Sequence, residues 1–201
     1  MKNATVDNVP QAERHPLQPF LPKGAKVLLL GTFPPKRNRW AMEFYYPNFQ
    51  NDMWRIMGLV FFRDKGYFLA PNGKRFDKDM IACFCREKGI ALSDTAEEVV
   101  RLKDNASDKF LQIIRSRDVG ALLDNIPECR AVVTTGQKAT ETLTATLDCP
   151  LPKVGESEEF LHAGRKMKLY RMPSSSRAYP MAIERKAAYY EEMFREAGLM
   201  G

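Results

Sequence analysis

The chain alternates short unbroken apolar runs with longer segments whose apolar residues recur every three or four positions. Unbroken runs suit strands covered on both faces, and the wider spacing suits amphipathic helices. Residues 25–31, AKVLLLG, form the first run and predict a buried strand ending at Gly31. Residues 51–62, NDMWRIMGLVFF, set Met53, Met57, Val60 and Phe61 on one helical face, with Trp54 and Ile56 beside it. A connector over 66–77 leads into DKDMIACFCREKG, a helix with Ile81, Phe84 and Cys85 on one side and Gly89 as its stop.

The next run, GIALSDT (89–95), reads as a second strand. Residues 97–109 are polar and mixed in charge, which predicts an exposed crossover, and FLQII (110–114) reads as a short strand or the start of a turn. In residues 118–129, Val119, Leu122, Leu123 and Ile126 fall at helical spacing. RAVVTTG (130–136) is a third buried strand, followed by a helix over 137–147. Residues 158–173 predict a hairpin turning at Ala163-Gly164, its second arm entering the core. The chain closes on an amphipathic helix whose buried stripe is Ile183, Ala187, Tyr190, Phe194 and Ala197, stopped at Gly198.

Strands alternating with helices imply an α/β fold: a largely parallel sheet with helices on both faces. Pro10, Pro16, Pro19 and Pro22 deny helix to residues 1–23, which read as an extended N-terminal arm, and residues 24–201 read as one domain. In such sheets ligands bind beyond the carboxyl ends of the strands. Two unusual loops leave strand ends: residues 31–50, and MPSSSRAYP at 172–180. If their strands are parallel neighbours, the loops face each other across one cleft. The first carries aromatics and amides, the second hydroxyls and Arg177. Together they suit stacking on a flat ring, positioning a water and holding a phosphate. Taken singly, each has a plainer reading: Asn48 or Asn51 as a helix cap, the tyrosines as core, the serines as a cap on the last helix.

Composition narrows the classes. Across 201 residues, 44% hydrophobic and 28% charged residues are compatible with a packed core. A net charge of +6 fits a polyanionic partner without requiring one. No apolar stretch approaches the roughly 20 residues of a membrane helix, and the first ten residues lack a signal-peptide core, so a cytoplasmic protein is expected. Cys83, Cys85, Cys129 and Cys149 contain no C-x-x-C and read as reduced structural thiols rather than a metal or cluster site.

Gly31-Thr32-Phe33-Pro34, followed by Tyr45-Tyr46 and Asn51-Asp52-Met53-Trp54, resembles the uracil-DNA glycosylase superfamily, and most nearly its hypoxanthine-DNA glycosylase branch. That branch's first motif runs G-S-F-P-G and continues Y-Y-x-x-x-x-N-x-F-W. Met172-Pro173-Ser174-Ser175-Ser176 resembles its second motif, L-P-S-[ST]-S, and VVTTGQKA resembles a segment reading F-N-G-x-x-A. The resemblance spans about residues 24 to 196. It implies a three-layer α/β/α sandwich on a mostly parallel four-stranded sheet. It also implies a metal-free, cofactor-free monomer that removes a deaminated base, uracil or hypoxanthine, from DNA.

By the same resemblance, Asn51 would position the hydrolytic water, with Asp52 as a substitute base. Thr32, Phe33, Pro34, Tyr46 and Thr135 would bind the base, Tyr46 by stacking. Ser174, Ser175 and Ser176 would hold DNA, and Arg177, read from its own chemistry, would pair with a phosphate beside them. The chain departs from the pattern where Pro35 replaces a glycine, Thr135 an asparagine and Arg177 a proline. Those departures keep two rivals in view: a DNA-binding module of the same fold without the chemistry, and a small-molecule enzyme using the same cleft.

Overall fold

The computed structural model describes residues 11–103 and 108–200. Part of the N-terminal arm and part of the 97–109 segment therefore lie outside the described residues.

The first apolar run forms β2 (Val27–Gly31), which lies between β3 (Ile90–Asp94) and β6 (Ala131–Thr135) and is parallel to both. β8 (Arg165–Met172) is parallel to β6, and β7 (Ser157–His162) pairs antiparallel with β8 at the sheet edge. The order is β3-β2-β6-β8-β7, so the expected four parallel strands gain one antiparallel edge strand. The hairpin turns through Ala163 and Gly164, both at positive φ.

Alternate residues of β2 explain the layers. Val27 and Leu29 pack with α1 (Met53–Phe62), α2 (Lys78–Lys88) and α5 (Ile183–Glu196). Leu28 and Leu30 pack with α3 (Val119–Asp124) and α4 (Gln137–Thr144). Successive strand residues point to opposite faces, so an unbroken apolar run is what a doubly covered strand requires. The result is a three-layer α/β/α sandwich. The α2 boundaries follow local chemistry: Asp77 accepts from Asp79 and Met80 N–H at the start, and Gly89 sits in the left-handed region at the end.

One expectation fails. The polar segment after β3 is not simply an exposed crossover, because its first residues belong to β4 (Ala96–Arg101). β4 pairs antiparallel with β1 (Ala12–Arg14) and with β5 (Leu111–Ser116), making a second, three-stranded sheet. Ala96 and Val99 face a small core with Phe33 and Leu111, while Glu97 and Glu98 are half-buried. A strand with one covered face alternates imperfectly and reads as polar.

Candidate active site

The chain leaves β2 at Gly31 and, apart from one 3-10 turn at Arg37–Arg39, stays irregular until α1, and it leaves β8 at Met172 for the serine turn. Because β2 and β8 flank β6, both loops emerge at the same sheet edge. They join directly: Asn51 and Ser176 form an antiparallel bridge, and Asp52 N–H donates to Ser175 O at 2.9 Å. Between them lies a cleft of about 1170 Å³. Thr32, Phe33, Pro34, Tyr46, Asn51, Thr135, Ser174, Ser175, Ser176 and Arg177 all line it. Asp52 does not.

Asp52 instead anchors the junction. Its Oδ1 accepts from Arg177 Nε at 3.3 Å and Nη2 at 3.2 Å, and its Oδ2 lies 3.7 Å from Lys186 Nζ. Lys186, only 1% exposed, donates to Ser176 O at 2.7 Å. Burial lowers its pKa, and Asp52 opposes that shift. The serine turn therefore does not cap α5, whose N-cap is Ala182; a buried cation ties it to the helix. Arg55 completes the junction, donating to Phe49 O and Asn51 O while lying over the rings of Phe49 and Phe76.

Asn51 follows its plainer reading in part: Oδ1 accepts from Met53 N–H at 2.9 Å at the start of α1. An amide oxygen has two lone pairs, so one acceptor position remains for a water. Tyr46 adopts φ 52°, rare for a non-glycine residue. Its hydroxyl meets Thr135 Oγ1 at 3.2 Å, and its ring stands edge-on to Trp54 at 6.1 Å. Burial, with Asp94 second, pushes its pKa well up, so the phenol stays a neutral hydrogen-bonding group. Phe33 is buried against His15 and beneath the Arg101 guanidinium, leaving it mainly a packing residue of the cleft wall. The turn after Phe33 is pinned by its carbonyls: Arg101 Nη2 donates to Pro34 O at 2.6 Å, and Trp40 Nε1 to Pro35 O at 2.7 Å. Thr32 Oγ1 is buried without a hydrogen bond of ordinary geometry among the described residues.

Two cleft carboxyls were not legible in the sequence. Asp94 ends β3 opposite Gly31 in the parallel register and hydrogen-bonds His15 Nε2 at 2.7 Å. Asp108 lies near the Thr32 hydroxyl, and burial raises its pKa to about 6; Asp94 adds to the rise, while Thr32, Arg101 and Lys138 oppose it. Asp94 closes an apolar run and Asp108 falls in a polar segment, and neither belongs to a motif. The rim carries Arg39, Arg101, Lys109, Lys138 and Arg177 against Asp94, Asp108 and Glu141, an excess of cations.

No protein-family model and no curated protein matches the chain. Among solved structures it is similar to a solution NMR structure from Methanosarcina acetivorans, provisionally assigned as a uracil DNA glycosylase. The TM-score is 0.63 and the identity 20%, over 94% of this chain and 99% of that one. This chain has the uracil-DNA-glycosylase-like fold. Among the described residues, no helix is long and apolar enough to cross a membrane.

Proposed function

We propose that the protein is a DNA glycosylase that hydrolyses the bond between sugar and a deaminated base, uracil or hypoxanthine, in a nucleotide flipped out of the duplex. The observation that carries this reading is the bridged junction of the two loops, which walls one cleft, roomy enough for an extruded nucleotide, with an aromatic, an amide, hydroxyls and a cationic rim. Flipping costs a few kcal/mol and is offset by contacts to the extruded nucleotide and its phosphates.

In this mechanism Tyr46 lies against the base, its hydroxyl fixed by Thr135. Arg177 and the serine turn hold flanking phosphates; Arg177 is half-exposed and uses Nε and Nη2 on Asp52 and Nη1 on Gln50, leaving further N–H donors outward. Asn51 Oδ1 accepts from a water whose oxygen attacks the sugar carbon as the bond to the base breaks. The base leaves with the electron pair, and the proton that the attacking water loses on becoming the sugar hydroxyl balances the one the departed base takes up from solvent. An amide is a poor base, so the protein forgoes much of the ~10²–10⁴-fold that general-base catalysis supplies, and a modest rate is expected. The affinity for hypoxanthine follows only from the motif resemblance.

A second reading, a binding module without chemistry, draws on a specific observation: Asn51 Oδ1 is already engaged by Met53 N–H, and Asp52 by Arg177 and Lys186. One panel separates the two. Oligonucleotides bearing uracil, hypoxanthine, xanthine or mismatched thymine are assayed for abasic sites with the native chain and Asn51→Ala. Release by the native chain, lost in Asn51→Ala with its fold intact, supports catalysis. Tight binding to abasic DNA with no release from any oligonucleotide selects the module.

A further inference from the structure

Hydrolysis at a sugar carbon needs help at two places, the water that enters and the base that leaves. The two lie on opposite sides of the carbon, so the groups that serve them come from opposite walls. Asn51 stands at the head of α1, in the helix layer that also holds α2 and α5. The layer of α3 and α4 reaches the same strand ends from the other face, with Lys138 and Glu141 of α4 lining the cleft. Among the described residues three carboxyls line it: Asp94, Asp108 and Glu141. Glu141 is exposed and takes Gln137 Nε2 at 2.6 Å. Asp94 Oδ2 meets His15 Nε2 at 2.7 Å, and its Oδ1 is crowded onto Gly31. Asp108 differs from both. It opens a 3-10 turn, Asp108–Phe110, ahead of β5, and Leu102 N–H donates to Phe110 O at 2.9 Å to hold that turn on β4. Its carboxyl comes beside the Thr32 hydroxyl, in the turn after β2. The charged groups around it are Asp94 at the end of β3, backed by His15, Arg101 of β4 and Lys138 of α4, with Lys109 next in the chain. Asp108 thus stands on the α4 side, away from the wall that carries Asn51. Burial raises its pKa to about 6, Asp94 adding to the rise and Thr32, Arg101 and Lys138 opposing it. Near neutrality it therefore exchanges a proton readily, as a carboxyl that must give one up and recover it has to.

We infer that Asp108 is a further catalytic residue, the acid that hands a proton to the departing base while Asn51 holds the water on the other side of the sugar carbon. This inference rests on the glycosylase reading. In the step, the bond between the sugar carbon and the base nitrogen breaks and its electron pair goes to the base. The carboxyl O–H of Asp108 protonates a ring nitrogen or carbonyl oxygen of that base as it departs. The water oxygen bonds to the sugar carbon, and the proton it sheds restores Asp108 through solvent. Two carboxyls in one cleft divide their roles by environment: Asp94 is committed to His15, and Asp108 is the one placed to trade a proton. A base that leaves poorly gains most from an early proton, so the contribution of Asp108 grows as the leaving group worsens.

The test is single-turnover base release between pH 5 and 7.5 by the full chain and by Asp108→Asn. The oligonucleotides carry uracil, hypoxanthine or 5-fluorouracil, the last a better leaving group because fluorine stabilises its anion. The native rate on uracil and hypoxanthine should fall by up to about tenfold per pH unit above about pH 6, as the acid form is lost. Asp108→Asn should be about a hundredfold slower than native at pH 5.5 with a flat profile, the gap narrowing to a few-fold by pH 7.5. On 5-fluorouracil the native slope should be shallower and the loss in Asp108→Asn smaller. Native release with a pH profile that Asp108→Asn leaves unaltered overturns the inference and spares the glycosylase reading. So does a deficit in Asp108→Asn that is the same at every pH, the result a merely structural role would give, or one equal for uracil and 5-fluorouracil. Should Asp108→Asn not fold, the native slopes on the two leaving groups still decide, and equal slopes overturn the inference. No release by the native chain from any oligonucleotide at any pH removes the glycosylase reading and this inference with it.

Discussion

Replacing Asp108 with Asn tests whether the cleft holds a carboxyl that dislikes its charge. In the folded chain, burial raises the Asp108 pKa from 3.8 to about 6. The unfolded chain releases that proton near 3.8, so between about pH 4 and 6 the folded state binds more protons. Stability therefore falls as pH rises through that window and stays reduced above it. At about 1.4 kcal/mol per pH unit the full interval corresponds to about 3 kcal/mol. Asp108 keeps some solvent contact, so about 1–3 kcal/mol is the expected cost at pH 7.5. Asp108→Asn removes the charge and nearly keeps the shape. Urea unfolding at pH 4, 5, 6 and 7.5 should show the variant more stable by that amount at pH 7.5, with the gap closing towards pH 4. A variant equal to or weaker than the native chain at pH 7.5 would refute the argument. So would a gap that does not change with pH, since only titration generates the trend.

Three further outcomes follow from the same geometry. Gly31→Ala forces a methyl to within 2.5 Å of Asp94 Oδ1. It should cost about 1–3 kcal/mol in urea unfolding, and an unaltered midpoint would mean the carboxyl is not crowded there. Lys186→Met removes the donor to the Ser176 carbonyl and leaves Asp52 with less compensation; a loss of about 2–4 kcal/mol is expected, and a neutral result would make the buried cation dispensable. Arg177→Ala should weaken DNA binding and reduce the slope of log affinity against log salt by about one; an identical slope would exclude a phosphate contact.

The sandwich could be read from the chain because its strands are covered on both faces. Val27 to Leu30 are all fully buried, and a doubly packed strand requires such a run. The two loops could be read as facing partners only on the condition that their strands were parallel neighbours; β2 and β8 are parallel but separated by β6, and their loops still meet beyond the shared carboxyl ends. What escaped was set by distant pairing. β4 carries Glu97, Glu98 and Arg101, and only its partners in the arm and in β5 make it a strand. Lys186 looks like part of a polar helix face until Asp52 and Ser176 surround it. His15 sits in a proline-rich arm that gives no periodic signal, and Asp94 depends on it. Asp52, next to Asn51, was divided from it by the turn of the helix start: one lines the cleft and the other lies beneath the serine turn.

The bridge between Asn51 and Ser176, with Asp52 bonded to Ser175, makes the two loops one mechanical piece. Substitutions across that seam would not act independently, because displacing one side drags the other and shared partners couple their energies. Redesigning this cleft for a new ligand would therefore mean exchanging both segments as a matched set, with Lys186 and Arg55 retained as the rivets that keep them in register.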